Sequence, residues 1–203
     1  YGVANLGAML PREGVYLADG LYAEIAFGAA EAPVRVMAEL DFVNAPLQTA
    51  NFVRIVEGKG VAARGGPGAG MRPGGPRPEA PPIGKVEVRG GLIAGRIVSE
   101  AQKSVAIDTL PIAANPALKH GGPGVLGVSG PNAFHLTLRR REGLDRTATA
   151  IGRTIAGLDV LESVKTGDAV RSIRIVRVGQ AARDFKTDDE SFKKMLGVGP
   201  QDK

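Results

Sequence analysis

The sequence predicts an all-β protein, a barrel or sandwich with helical caps. Three observations predict it. Apolar and polar residues alternate in short runs along most of the 203 residues, which is the period of a half-buried strand. Turn residues break those runs at short spacing. About eight such runs occur against two internal helical patterns, a balance that suits a barrel or sandwich.

Composition narrows the class. Gly (29 residues) and Pro (14 residues) are abundant and clustered. Cysteine is absent, which excludes disulfides and thiolate metal sites. No apolar run approaches the roughly 20 residues that a membrane helix needs. A formal net charge of +5 favours acidic partners, but is too small to argue for nucleic acid by itself.

The elements follow in order. Residues 1–12 form an apolar leader in which Val3, Leu6 and Leu10 recur at helical spacing. Residues 21–27 and 33–40 alternate and read as a hairpin turned at 28–32. Asn44-Ala45-Pro46 opens a helix, with Asn44 as cap and Pro46 early, where its missing N–H costs little. Phe52, Ile55 and Val56 supply its buried stripe, and Gly58 ends it. Residues 60–84 are a Pro/Gly-rich insertion carrying Arg64, Arg72 and Arg77, with Glu79 as its one acid. Such a stretch cannot order itself by burial, so a contact outside the barrel is expected to hold it.

Residues 85–98 return to strand-like sequence, and 104–110 do so more weakly. Two further strands, 123–128 and 133–138, flank a Gly130-Pro131-Asn132 turn. Another spans 147–155. A short helix is expected at 157–165, with Leu158, Leu161 and Val164 inward. Residues 171–178 alternate again. In the tail, Thr187 and Glu190 form a capping box ahead of Phe192, Met195 and Leu196. The chain thus divides into a leader (1–20), a barrel (21–180) and a tail (181–203).

Two stretches carry a family likeness. One is Glu39-Leu40-Asp41-Phe42-Val43-Asn44-Ala45-Pro46-Leu47-Gln48-Thr49-Ala50-Asn51-Phe52. The other runs from Pro123-Gly124-Val125-Leu126 through Gly130-Pro131-Asn132, Phe134-His135-Leu136-Thr137, Leu144-Asp145 and Ile151-Gly152-Arg153 to Gly157-Leu158-Asp159-Val160-Leu161. In order and spacing they resemble the cyclophilins, over roughly residues 21–179. The resemblance implies a closed eight-stranded antiparallel barrel capped by two helices. It also implies peptidyl-prolyl cis-trans isomerisation without metal, cofactor or nucleophile.

That chemistry must weaken a bond whose rotation faces a barrier of about 18–20 kcal/mol. In the family an arginine donates to the prolyl nitrogen while an apolar pocket holds the ring, so catalysis is positional and electrostatic. By resemblance Arg96, in Ala94-Gly95-Arg96-Ile97-Val98, takes the place of the catalytic arginine. The expected pocket is altered almost throughout. Its phenylalanine is Ala101, its methionine Gln102 and its glutamine Ser104. Phe134 stands beside a second pocket phenylalanine that has become His135. The tryptophan is Gly143, the following histidine Ala148, and Leu144 alone is kept. Losing a phenylalanine ring forfeits about 2–3 kcal/mol of apolar contact, and Gln102 brings an amide that needs a partner.

His135 reads first as a strand residue of the barrel and His120 as a loop residue, and two such histidines without cysteine do not suggest a metal site. The runs Gly65-Gly66-Pro67-Gly68 and Gly121-Gly122-Pro123-Gly124 lack the ending of a phosphate loop and read as linker and turn. Arg139-Arg140-Arg141 is a basic run at a strand end, either solvated or a contact for an acidic partner.

Three functions follow as expectations. A retained core beside an eroded pocket points to a scaffold, assembly factor or accessory subunit of a larger complex. Its contacts would be the leader, the tail and the arginines at 64, 72, 77 and 139–141. An active isomerase assisting folding is the alternative. A basic ribonucleoprotein component is the third, weakened by the lack of an aromatic stacking platform. Residues 116–125 and the tail resemble chloroplast cyclophilins of plants and algae. With a start at Tyr1 that agrees with a cleaved transit peptide, they point to the thylakoid lumen beside a photosynthetic membrane complex, with the mitochondrion as the alternative.

Overall fold

The computed structural model describes residues 16–29, 31–58, 84–97 and 110–197. Among them, nine strands form one antiparallel sheet in the order β3-β9-β1-β2-β8-β6-β7-β5-β4. The strands are β1 (Gly20–Phe27), β2 (Val34–Leu40), β3 (Gly84–Lys85), β4 (Glu87–Arg89), β5 (Leu92–Arg96), β6 (Val125–Val128), β7 (Ala133–Thr137), β8 (Thr149–Ala156) and β9 (Ala169–Val178).

The ends of this ladder meet because β3 and β4 are one stretch of chain. β3 pairs with β9 and β4 pairs with β5, so residues 84–89 bridge both edges. Val86, between them, donates to the Asp168 carbonyl and accepts from Gly167, each at 2.9 Å. Closure removes the free edges that an open sheet would expose.

Sequence alternation becomes two faces here. Leu21, Ala23, Ile25 and Phe27 of β1 point into the barrel with Val36, Ala38, Leu40, Ile93, Leu126, Phe134, Leu136 and Ile151, all at most 2% exposed. Helix α1 (Pro46–Glu57) covers one end and sends Phe52 into the core, its ring centre 6.4 Å from that of Phe134. The opposite face of α1 is covered by the tail. There α2 (Gly179–Asp184) leads to α3 (Asp189–Met195), whose Phe192 is fully buried beside Ala50. The Arg54 guanidinium lies 4.6 Å above the Phe192 ring centre and pairs with Asp189 at 3.3 Å. The tail's apolar face is therefore spent on α1.

The structure corrects several local expectations. Among the described residues, the run expected to be one strand at 85–98 is divided: β3 and β4 part at Val86, and Gly90 and Gly91 (φ 60° and 81°) turn a two-residue hairpin between β4 and β5. Such turns need positive φ at both positions. Gly84 belongs to β3 rather than to the insertion. Asn44 does not cap α1: its backbone and side chain both bond Asp41, and Ala45 opens the helix without a side-chain cap. The helix expected at 157–165 is a single 3₁₀ turn, Leu161–Ser163. Leu158 is 43% exposed there, while Leu161 and Val164 are buried. A short connection with so few inward residues does not offset the cost of nucleating an α-helix. In the tail, Asp188 rather than Thr187 is the cap, accepting from the Ser191 backbone N–H at 2.9 Å. The leader through residue 15, the insertion of 60–84 except Gly84, and the weak strand of 104–110 except Leu110 lie outside the described residues.

Candidate functional site

The outer face of β5 and β7 carries two of the predicted site residues, Arg96 and His135. β5 pairs with β7 so that Arg96 faces Ala133, Gly95 faces Phe134 and Ala94 faces His135. Side chains alternate across a strand. Gly95 and Phe134 therefore share the inner face, and a Cβ at Gly95 would sit 2.7 Å from the Phe134 ring. Phe134 is a core residue, 2% exposed, and not a wall of a surface pocket. Arg96, Ala94, Ala133 and His135 share the outer face. Arg96 is exposed at the end of β5.

His135 is 4% exposed because a neighbour lies on it. That neighbour is His120, fully buried, whose Nε2 stands 3.0 Å from Nε2 of His135. The two rings are 5.1 Å apart at their centres. On its other side, Nδ1 of His120 donates to Oδ1 of Asp145 at 2.7 Å, and the His120 backbone N–H reaches the same oxygen at 3.1 Å. Asp145, His120 and His135 thus form one hydrogen-bonded chain.

Each link has a local cause. His120 ends a loop held by Asn115, a buried residue whose Nδ2 donates to Asp41 Oδ2 and to the Ala150 carbonyl, each at 2.9 Å. Its Oδ1 accepts from the backbone N–H groups of Ala117 and Leu118. The His120 carbonyl accepts from Arg141 N at 2.7 Å. Asp145 sits in the 3₁₀ turn Glu142–Arg146, which also carries half-buried Leu144. Gly127 of β6 lies opposite His135, and a Cβ there would stand 2.5 Å from His135 Nε2 and 2.7 Å from His120 Nε2. Only a residue without a side chain leaves room for both rings.

The electrostatics follow from that packing. Burial, and then the charge His120 can carry, push His135 down to about 4, so its ring is neutral near pH 7. Burial pulls Asp145 upward. It is outweighed by hydrogen bonds from the His120 ring and backbone and by the charges of His120 and Lys119, which hold the carboxyl below its usual range. Between the imidazoles a single proton is shared, since a 3.0 Å contact of two Nε2 atoms requires one donor and one acceptor.

Other predicted residues separate. Arg140 pairs with Glu142, and the side chains of Arg139 and Arg141 lie across Gly91 and Gly90 at the β4–β5 turn. Gln102, Ser104, Arg64, Arg72 and Arg77 lie outside the described residues. Two grooves of about 620 and 460 Å³ open beside Leu158 and beside Phe42, and neither is lined by Arg96, His135 or Leu144. No group of three or more metal-ligating side chains occurs among the described residues, and no helix there is long and apolar enough to cross a membrane.

A closed antiparallel barrel, plugged by α1 and carrying this outer-face site, has the cyclophilin fold. It is similar to a cyclophilin-type peptidyl-prolyl cis-trans isomerase of Cryptosporidium parvum, with a TM-score of 0.53 and 14% identity over 78% of this chain and 98% of that one. At that identity the likeness speaks for the fold. No protein-family model matches the chain.

Sequence reasoning alone does not pair His120 with His135, one in a loop and one in a strand. A signal existed: a lone glycine inside a strand, Gly127, marks close approach.

Proposed function

We propose that the chain is a cyclophilin-fold binding module whose isomerase site has been eroded, acting as a scaffold, assembly factor or accessory subunit of a larger complex. The observation that carries this reading is His135. It stands where the resemblance expects a pocket phenylalanine, and it is hydrogen-bonded to His120 and Asp145. A prolyl ring needs an apolar wall, and desolvating an imidazole against it costs free energy without return. Arg96 shares its face with Ala94 and Ala133, which offer little surface to grip a substrate. An arginine that cannot hold the peptide in place loses the positional part of its effect.

The test is isomerisation of a prolyl test peptide by the purified chain. A rate indistinguishable from the uncatalysed one is expected, and a rate typical of cyclophilins overturns the proposal. The alternative, an active isomerase, is favoured by Arg96 alone, which remains exposed on the outer face. A thylakoid-lumen setting beside a photosynthetic complex belongs to the same proposal and rests on the resemblance of residues 116–125 and the tail. Immunodetection in fractionated plastids tests it, and signal confined to mitochondria refutes it.

A further inference from the structure

Large apolar side chains exposed singly need no explanation, but a cluster of them does. Among the described residues three of the seven exposed ones, Ile155, Leu158 and Val160, fall within six positions at and just after the end of β8. They are held out by what is held in. Gly157 (φ 78°) lies against β2, where a Cβ would stand 2.3 Å from the Arg35 carbonyl oxygen, so the chain is pinned there. Two tight turns follow. The Leu161 N–H donates to the Leu158 carbonyl at 3.4 Å, and the Val164 N–H to the Leu161 carbonyl at 3.2 Å. They carry Leu161 and Val164 into the core. With those two inward, Leu158 and Val160 stay outside at a fixed place.

Ile155 and Leu158, together with Pro123 and Leu138, wall the groove of about 620 Å³. That volume suits a few side chains. The charged residues on its wall are Asp159 and Glu162, both acids, on a chain whose net charge is +5. Their spacing of three places them on one side of a 3₁₀ turn. Among the described residues neither takes part in an ion pair. An anionic lipid surface or a nucleic acid would meet two carboxylates here, which repel it. A lysine or arginine side chain fits the opposite way. Its stem lies along apolar surface while its head reaches the carboxylates.

We propose that this groove is the docking site for a partner protein segment in which leucine-like side chains stand beside lysine or arginine. The inference builds on the reading of the chain as a binding module and names the surface and the chemistry of what it holds. The arginine-rich stretches would then serve other contacts, since this surface carries the opposite charge.

The experiment titrates the ¹⁵N-labelled full chain at low salt with two blocked tetrapeptides. Each has two central leucines, flanked in one by lysines and in the other by glutamates. Neither contains proline, so an isomerase pocket is not what they read. The expected result is saturable amide shifts at Leu158, Asp159 and Glu162 with the lysine peptide. The glutamate peptide should bind about tenfold more weakly, because exposed attractions are replaced by repulsions. Raising the salt to about 1 M, where the screening length is about 3 Å, should close that gap. Asp159→Asn combined with Glu162→Gln should close it at low salt. Leu158→Ser, at an exposed position outside the core, should abolish saturation by either peptide. Equal affinities for the two peptides, shifts centred elsewhere, or unchanged binding by Leu158→Ser overturn the proposal. So does a groove closed to both peptides, which would mean that a segment of this chain fills it. A sedimentation coefficient that rises with protein concentration, and no longer does so in Leu158→Ser, assigns the groove to a second copy and also overturns it. Catalysed isomerisation of a prolyl peptide together with selective docking here would sink the proposed function and keep the inference. An inactive chain whose groove ignores the lysine peptide would do the reverse.

Discussion

Phe134 and His135 are neighbours in one strand, and they stand in two different environments. Phe134 points inward, packs edge-on to Phe52 and fills space that Gly95 leaves open. His135 points outward onto a second imidazole in the space left by Gly127. Both are buried, and a glycine makes room for each on the facing strand. The inner face nevertheless is held by apolar contact, while the outer face is held by a hydrogen-bonded chain that ends in a carboxylate. The inner face gives the barrel its stability. The outer face uses burial to keep a titratable group neutral.

The comparison breaks first on the inner face. Phe134→Ala should cost about 3–5 kcal/mol, read from the urea midpoint, because the ring's cavity is walled by strands that cannot collapse into it. A loss under 1 kcal/mol would mean that the barrel interior is not the core described.

The next effect is a pH dependence peculiar to the outer face. An unfolded imidazole titrates near 6.5 and His135 in the fold near about 4. Between those values the unfolded chain binds more protons. Stability present above pH 6.5 should therefore fall by about 3 kcal/mol as the pH drops through 4. Asp41 and Asp145 are both held below 3.8, so their contribution begins to be lost only below about pH 5, and the fall between pH 6.5 and 5 belongs to His135. Urea titrations at pH 7, 5.5 and 4.5 measure it. His135→Phe should remove the slope, and a slope that survives that change would assign the acid sensitivity to another group.

The two faces differed in how readily they could be read. Alternation located β1, β2, β6, β7, β8 and β9 to within a few residues, because a barrel wall with one buried face imposes period two on the side chains. The resemblance expects His135 and Leu144 in one pocket and says nothing of Asp145 as a partner. What alternation could not supply is contact across elements. His120 precedes β6 and His135 follows the Pro131 turn, so their meeting depends on the β6–β7 register and on the loop that Asn115 holds. The shortened helix at 157–165 and the shifted caps at Ala45 and Asp188 depend on local competition among near-equal partners, which composition does not rank.

Gly127→Ala sharpens the comparison at smaller cost. The added methyl would meet both Nε2 atoms, so the rings must part. Overpacking of this kind costs about 1–3 kcal/mol, read from the same urea midpoints. The His135 ring resonances should also lose the signature of a shared Nε2 proton. Retention of that signature would mean that the strands separate instead, and that the imidazole contact is the stronger of the two.

Arg96→Ala should have the smallest effect on stability, within about 0.5 kcal/mol, since its side chain is exposed and the backbone bonds of β5 are kept. Its value lies in separating two roles that the outer face alone could play. If the eroded pocket cannot position a prolyl peptide, the isomerisation rates of the parent and of Arg96→Ala should coincide with the uncatalysed rate. A parent rate above that baseline, lost on removing Arg96, would mean that one guanidinium acts without the apolar cradle. The hydrogen-bonded histidines would then have to be counted as part of a working site rather than as its replacement.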